Sequence, residues 1–594
     1  MAHYVPPLRD MQFVLQEVLD VEGTLQQLPA HADLNLDLIN QVLEAGGKFC
    51  AEVLHPLNAR GDHEGCSYDP QTGDVRTPAG FKEAYAQFVE AGWPSLNCDP
   101  VHGGQGLPQI VKTGFQEMTT ACNQAWSMYP GLTHGVSEIL RAHGTDEQKA
   151  LYLPRLVGGE WAGTMCLTEP HCGTDLGLLR TRAEPAFDGT YRVTGSKIFI
   201  TSGEHDFTPN IIHMVLARLP GAPEGTRGIS LFLVPKFLPD ANGQPGTRNG
   251  VRCNGIENKM GIHASPTCQM EFDGATGWLV GQAHQGLKAM FVLMNVARLG
   301  VGTMSLGLME AAYQASVAYA RERLQMRALS GPKAPELAAD PIIVHADVRR
   351  MLLTQRAYLE GSRALAYWAA LLTDVSERHT DPVQRKQADD VLTLLTPVVK
   401  AFISDAACEC TNLAVQVYGG HGYIVESGVE QLVRDARINP IYEGTNGIQS
   451  LDLLGRKVLA DGGARMKILG ALVQQFAQAH KDSEPMREFL APLEATGTLV
   501  MECSLQIGAR AFENRDEVGA AAVDYLRLFS HYVYAYLWAR MAQVALGRGD
   551  DPFYAAKLVT ARFYVQRLLP ETRMLAARIQ AGGKNLFEMG AEQF

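Results

Sequence analysis

Hydrophobic and polar positions change their period along the chain, and each change marks an element boundary. Over residues 1–160 the spacing is helical but interrupted. Leu38, Ile39, Val42 and Leu43 recur at helical intervals in segment 34–46, and Thr145-Asp146-Glu147-Gln148 forms a capping-box pattern ahead of the run KALYLPRLV. A glycine-rich stretch, Gly103-Gly104-Gln105-Gly106, lies between them. From 161 to 285 the texture becomes short runs rich in Val, Ile, Phe and Thr, among them YRVTGSKIFIT, NIIHMVLARL and GISLFLVPKF, separated by Gly, Pro and Asn. Such runs predict strands. After Pro266 no proline occurs until Pro332, and residues 286–328 carry a pattern that sustains one or two long helices. Helices follow near 342–379 and 383–418, the second stopped by Gly419-Gly420. In the helical tail, Tyr525, Phe529, Tyr532 and Tyr536 line one face, which predicts packing against a neighbouring helix or subunit. The expected fold class is α+β, with an N-terminal helical domain (1–160), a middle β-domain (161–285), a C-terminal helical bundle (286–462) and an additional helical domain (463–594).

Composition narrows the function classes. With 594 residues, 46% hydrophobic and 20% charged, the chain is enzyme-sized and of ordinary globular texture. Its net charge of −12 repels polyanions, so nucleic acid is not an expected partner. No run approaches the roughly 18 to 20 apolar residues of a membrane span, so no integral membrane segment is expected. The N-terminus lacks a basic region followed by an apolar one, and the C-terminus EMGAEQF carries no peroxisomal tripeptide. Eleven cysteines without a C-x-x-C pair fit reduced thiols, which makes a cytoplasmic location the expectation.

Neither a G-x-x-x-x-G-K-[ST] loop nor a G-x-G-x-x-G turn between strand and helix is present. His171-Cys172 with Cys166, and Cys408-Glu409-Cys410, lack the spacing and second ligand pair of a metal site, so none is expected. The positive signals are Cys166-Leu167-Thr168-Glu169-Pro170-His171-Cys172-Gly173-Thr174-Asp175, then Gly195-Ser196-Lys197-Ile198-Phe199-Ile200-Thr201-Ser202-Gly203, then Gln416-Val417-Tyr418-Gly419-Gly420-His421-Gly422-Tyr423, and finally Ile441-Tyr442-Glu443-Gly444-Thr445-Asn446-Gly447-Ile448-Gln449. In this order they resemble the acyl-CoA dehydrogenase flavoprotein family over roughly residues 80–460. The extended N-terminus and helical tail look most like the long bacterial branch that includes 3-methylmercaptopropionyl-CoA dehydrogenases and fatty-acyl-CoA relatives.

The chemistry can be argued separately. Forming a Cα=Cβ bond in a thioester needs a base for the α-proton, a hydride acceptor, and donors where enolate charge develops at the carbonyl. No side chain accepts hydride, so a flavin must. The resemblance implies FAD as cofactor and Glu443 as base, with the Glu443 backbone N–H polarising the thioester. Gly444 lets the backbone approach a ligand. The other position at which relatives carry the base is here Ala297, ahead of Arg298. Met165, Leu167, Thr168, Gly173 and Thr174 match the flavin-edge and phosphate motif, Thr201 the hydroxyl near flavin N5, and Phe199 the aromatic flanking the ring; alternating Phe and Thr also describes a half-buried strand. Thr445 matches a cofactor contact beside the base. Arg323, in Tyr319-Ala320-Arg321-Glu322-Arg323, matches an Arg that reaches the FAD diphosphate of another subunit, and Gln416, Gly419 and Gly420 match the loop closing over it, so a homodimer is implied. Leu324-Gln325-Met326 then departs from the family's Thr-Phe-Gly. Arg298, Tyr442 and Gly444 match substrate contacts, Asn295 stands where an acidic CoA contact is usual, and the acyl pocket is expected near Met128, Gly131 and Thr133.

The implied reaction is α,β-dehydrogenation of an acyl-CoA to the trans-2-enoyl-CoA, with electrons passed to an electron-transferring flavoprotein. Competing readings are an acyl-CoA oxidase that uses oxygen and a flavin-containing nucleic-acid-binding relative. The latter needs a basic tail, whereas residues 461–594 hold 15 Lys plus Arg and 15 Asp plus Glu. A scaffold without activity would most simply lack the base, and Glu443 is present.

Overall fold

The strand-like runs of the middle region close on themselves. In the computed structural model, which describes residues 3–594, they form β1 (Ala162–Cys166), β2 (Arg182–Pro185), β3 (Tyr191–Thr201), β4 (Ile211–Arg218), β5 (Ile229–Pro235), β6 (Val251–Ile256) and β7 (Thr267–Val280). β7 pairs antiparallel with β3, β3 with β2, and β2 bridges to β4 at Arg182 and Arg218. β4 pairs with β5, whose Leu231 to Leu233 meet Trp278 to Val280 of β7 and complete the ring. β1 adds in parallel to β4, and β6 antiparallel to β7.

Period-two alternation sorts the side chains into two cores. Val215, Ala217, Phe232 and Val234 pack with Val193, Met270, Phe272 and Ala275. Their neighbours Ile212, Met214, Leu216, Leu231 and Leu233 turn the other way, onto Val136, Ile139, Leu140, Leu153, Leu156, Met290 and Leu293. Strands apolar on both faces need such covering helices. One covering helix, Asp146–Val157, opens with the expected capping box: Thr145 Oγ1 accepts from Gln148 N at 3.2 Å, and Gln148 Oε1 from Thr145 N at 3.1 Å.

The chain divides into two compact units, one comprising Lys48–Leu107 and Met118–Gly300, the other Pro108–Glu117, Val301–Phe594 and the segment ending at Gly47. The second is built on the long helices Ala346–Arg378 and Pro382–Tyr418, with Arg487–Glu513 and Asp516–Leu546 from the tail. Gly286–Glu322 is one continuous helix. Pro382 sits at a helix start where its missing N–H costs nothing, and the same helix stops at Gly419, whose φ of +59° suits glycine. Gly422 follows where a Cβ would lie 2.4 Å from the Val415 carbonyl oxygen. Of the tail stripe, Tyr525, Phe529 and Tyr536 are buried, and Tyr536 meets Trp368 and Phe476. Within this unit Arg363 forms a buried cluster with Glu117, Glu310 and Tyr367.

Two expectations change. In the first long helix, Leu36–Phe49, the buried face is Ile39, Leu43, Gly46 and Gly47, and Leu38 is solvent-exposed because it lies one position off that stripe. Two helices, Gly286–Glu322 and the one beginning at Pro382, are long and apolar enough to cross a membrane, contrary to the reading of the sequence. Half of the first apolar window and most of the second are buried inside the fold, as in core helices of soluble proteins.

Candidate active site

The matched residues fall on both units. In the first, the loop after β1 carries Leu167, Thr168, Gly173 and Thr174, with Met165 on β1 itself. The Thr168 carbonyl accepts from Ile198 N at 2.9 Å, which ties this loop to β3. Lys197, fully buried, donates to the Leu167 carbonyl at 3.0 Å and to Glu169 Oε1 at 2.9 Å. Glu169 also accepts from Arg180 N, Thr181 N and Thr181 Oγ1 at 2.7, 3.0 and 2.6 Å. Burial pushes the Glu169 carboxyl up, but Lys197 and Thr181 outweigh this and hold it below the usual carboxylate range. Ligand atoms of Glu169, His171 and Cys172 lie within 4.8 Å of one another, close enough for a metal, yet Glu169 is committed to Lys197 and Thr181 and His171 Nε2 lies 2.9 Å from the Leu178 carbonyl.

Phe199 is not strand core. The ladder between β3 and β7 shifts register at this point, Cys268 facing Ile200 and Met270 facing Lys197, so a bulge holds Phe199 at φ +58° with 59% of its surface exposed. An exposed aromatic kept on left-handed backbone combines two unfavourable choices, a combination that collects at ligand sites. With Thr168, Thr174 and Thr201 hydroxyls on neighbouring segments, the surface suits a flat aromatic group with polar edges. The residues present therefore fit FAD. Ser202, next to Thr201, is also left-handed, at φ +53°.

Asn295 and Arg298 share one helix face, with Arg298 Nη1 donating to Asn295 Oδ1 at 3.4 Å. The helix Gln109–His143 breaks at Asn123, where φ is −165° and ψ 90°. Asn123 Oδ1 caps the second half by accepting from Trp126 N at 3.0 Å. Thr133, expected beside the acyl pocket, is engaged in the fold: its Oγ1 accepts from Gly163 N at 3.1 Å, and Met128 is buried.

In the second unit, Glu443 has φ +57° and Gly444 φ +79°, consecutive left-handed residues in a tight turn. Thr445 Oγ1 accepts from Ile448 N at 3.3 Å and caps the short helix Asn446–Leu451. Three side chains that the sequence reading did not single out hold this turn. Gln449 Nε2 donates to the Glu443 and Gly444 carbonyls at 3.3 and 3.4 Å. Asn446 Nδ2 donates to the Ala401 carbonyl and Asp405 Oδ1 at 3.1 and 2.7 Å, and its Oδ1 accepts from Lys400 at 2.9 Å. Asn439, fully buried, accepts from Tyr442 OH at 3.0 Å and donates to Ser305 Oγ at 2.9 Å. Amides within ten residues of a candidate base were the available signal. A half-buried carboxylate on strained backbone, braced from three directions, is suited to taking a proton from a fixed point.

Arg323 closes its helix with N–H to the Tyr319 carbonyl at 2.9 Å, and its own carbonyl accepts from Ile342 N at 2.8 Å. Tyr319 stacks on Tyr418 with centroids 4.0 Å apart, and its OH lies 3.0 Å from His421 Nδ1. This brings Arg323 and the Gln416, Gly419 and Gly420 turn onto one local scaffold. After Arg323, where the family pattern ends, Asp340 accepts from Ala328, Lys333 and Ala334 N–H groups and from Arg327, and knots the following loop.

The sequence and the fold are similar to those of known proteins. Residues 40–160, 164–275 and 284–459 match the acyl-CoA dehydrogenase N-terminal, middle and C-terminal domains, and 469–590 matches an acetyl-CoA dehydrogenase C-terminal-like domain. The chain is 41% identical over 591 residues to the 3-methylmercaptopropionyl-CoA dehydrogenase of Ruegeria pomeroyi, covering 98% of this chain and 99% of that one. It is 35% identical to a butyryl-CoA dehydrogenase of Syntrophomonas wolfei over the full length of both. An acyl-CoA dehydrogenase of Bacillus anthracis, solved with FAD, shares the fold at TM-score 0.75 and 20% identity, covering 98% of this chain and 93% of that one.

Proposed function

The chain belongs to the acyl-CoA dehydrogenase family, FAD-dependent oxidoreductases, and we propose that it dehydrogenates a short acyl-CoA thioester between Cα and Cβ with Glu443 as the base. The observation that carries this reading is the Glu443 turn: a carboxylate held at φ +57° by Gln449, Asn446 and Asn439. FAD, when bound, supplies the acceptor for the β-hydride.

The residues of this chain do the rest. Glu443 takes the α-proton onto its carboxylate, and its backbone N–H steadies the carbonyl oxygen as charge develops there. Left-handed backbone at Glu443 and Gly444 turns both carbonyls toward Gln449. Thr168, Thr174 and Thr201 offer hydroxyls to the cofactor's polar edges, and Phe199 offers a ring to its face. Arg323, with Gln416, Gly419 and Gly420, holds the diphosphate belonging to a second copy in a homodimer. Arg298 and Asn295 contribute to the CoA side.

Two of the near-full-length relatives are named for 3-methylmercaptopropionyl-CoA and butyryl-CoA, which supports short, unbranched acyl groups as substrates, while a third is named a broad-specificity linear acyl-CoA dehydrogenase. Electrons leave to an electron-transferring flavoprotein. The test is anaerobic bleaching of the purified yellow protein over short, medium and long acyl-CoAs and the methylmercaptopropionyl thioester. Short thioesters should bleach fastest; a colourless protein that FAD cannot reconstitute contradicts the reading. Peroxide formed stoichiometrically under air would identify an oxidase instead.

A further inference from the structure

Lys197 and Glu169 are two charges taken almost wholly out of water, 0% and 3% exposed, with Nζ to Oε1 at 2.9 Å. A buried pair of this kind is often no more stabilising than two apolar residues of similar volume, so stability alone does not account for it. What it touches does. Lys197 lies on β3 two residues before the bulge at Phe199, and reaches across to the Leu167 carbonyl; Glu169 reaches forward to the Arg180 and Thr181 N–H groups. The intervening loop holds little regular structure, a tight turn at Glu169–Cys172 and a short one at Leu176–Leu178, yet it carries Thr168, Gly173 and Thr174. One ion pair therefore pins both ends of this loop to the strand that presents Phe199 and Thr201.

We propose that the Lys197–Glu169 pair is the positioning device of the flavin-facing surface: it fixes the loop from Leu167 to Thr181 against β3 before FAD arrives. This rests on the flavin reading above. Neither side chain needs to touch the cofactor. Their effect is preorganisation, the loop's ordering entropy being met on folding and not on binding.

The test compares wild type with the apolar double variant Lys197→Met/Glu169→Leu in three measurements: the thermal midpoint of the apoprotein, the rate of tryptic cleavage after Arg180 in the apoprotein, and the FAD dissociation constant by fluorescence titration. Replacement of the pair keeps the volume and removes two buried charges, which offsets much of the cost of the backbone groups left without partners, so the midpoint should fall by no more than a few degrees. Arg180 and Thr181 N–H and the Leu167 carbonyl lose their partners, so cleavage should accelerate and FAD affinity fall, each by about tenfold or more. Faster cleavage with unaltered FAD affinity overturns the proposal, since the pair would then be scaffolding only; so does unaltered cleavage. Should the double variant not fold, Thr181→Val decides, removing one hydrogen bond to Glu169 with little change of shape. An increase of about threefold or more in both rate and dissociation constant supports the proposal, and no change overturns it. If wild type itself takes up no FAD, the flavin reading fails and this falls with it; a wild type that binds FAD beside a variant that binds equally well overturns the proposal alone.

Discussion

Replacing Gln449 by leucine separates the positioning of the base from the stability of its surroundings. A non-glycine residue on left-handed backbone costs about 1–3 kcal/mol, and Glu443 carries that strain. Gln449, fully buried, offsets it with hydrogen bonds to the Glu443 and Gly444 carbonyls, each contributing about 0.5–1.5 kcal/mol net. A leucine side chain would fill the same space and free the turn to relax. A displacement on the order of an ångström at a reacting group costs up to about 10²-fold in rate, so kcat should fall about 10- to 100-fold with KM little changed. Stability should move in a different manner. Gln449 Oε1 is buried without a hydrogen-bond partner among the described residues, a defect worth about 1–3 kcal/mol that leucine removes, which roughly balances the two lost bonds. The assay pairs stopped-flow flavin bleaching at saturating acyl-CoA with a thermal melt of the same sample. A Gln449→Leu enzyme within twofold of wild-type kcat refutes the bracing argument, as does a loss of rate that merely follows a loss of folded protein.

Other parts of the fold can be tested in the same way. Arg363→Met should cost about 3–5 kcal/mol in urea unfolding, because Glu117 and Glu310 would stay buried without their cation; a cost below about 1 kcal/mol would show that the cluster is not held together by charge. Burial pushes the Glu571 carboxyl up, but His531 and Arg527 more than reverse this and bring it down to about 2. Its contribution is therefore present above the usual carboxylate range and lost as pH falls toward 2, so wild type and Glu571→Gln should differ in melting temperature at pH 7 and converge near pH 2 to 3; a constant gap contradicts the assignment.

What was legible in the sequence was what local chain chemistry encodes. The Thr145 capping box, the Gly419 stop and the strand character of β4 and β5 all follow from neighbours within a few residues. The phase of the first long helix did not, because Leu38 and Ile39 are both apolar and only tertiary packing decides which is buried. Barrel closure was likewise hidden, since β5 meets β7 across more than forty residues and no periodicity reports a partner. At the site, the base and the flavin-matching segments stood out by motif. Their supports did not: Lys197 pairs with Glu169 across a 28-residue separation, and Asn446 with Asp405 across 41. Phe199 was ambiguous in sequence because alternation alone cannot show a bulge, and the register shift resolves it.

The central claim is that Glu443 removes the α-proton, and Glu443→Gln tests it most directly. Glutamine keeps the size and hydrogen bonding of the side chain and leaves the backbone N–H in place, so FAD content and acyl-CoA binding should match wild type. Anaerobic flavin bleaching by the preferred short acyl-CoA should slow by about 10² to 10⁴-fold or more, the contribution of a positioned base. A Glu443→Gln enzyme that bleaches at near wild-type rate would contradict the account, as would activity that depends on a carboxylate introduced at Ala297 and never on position 443.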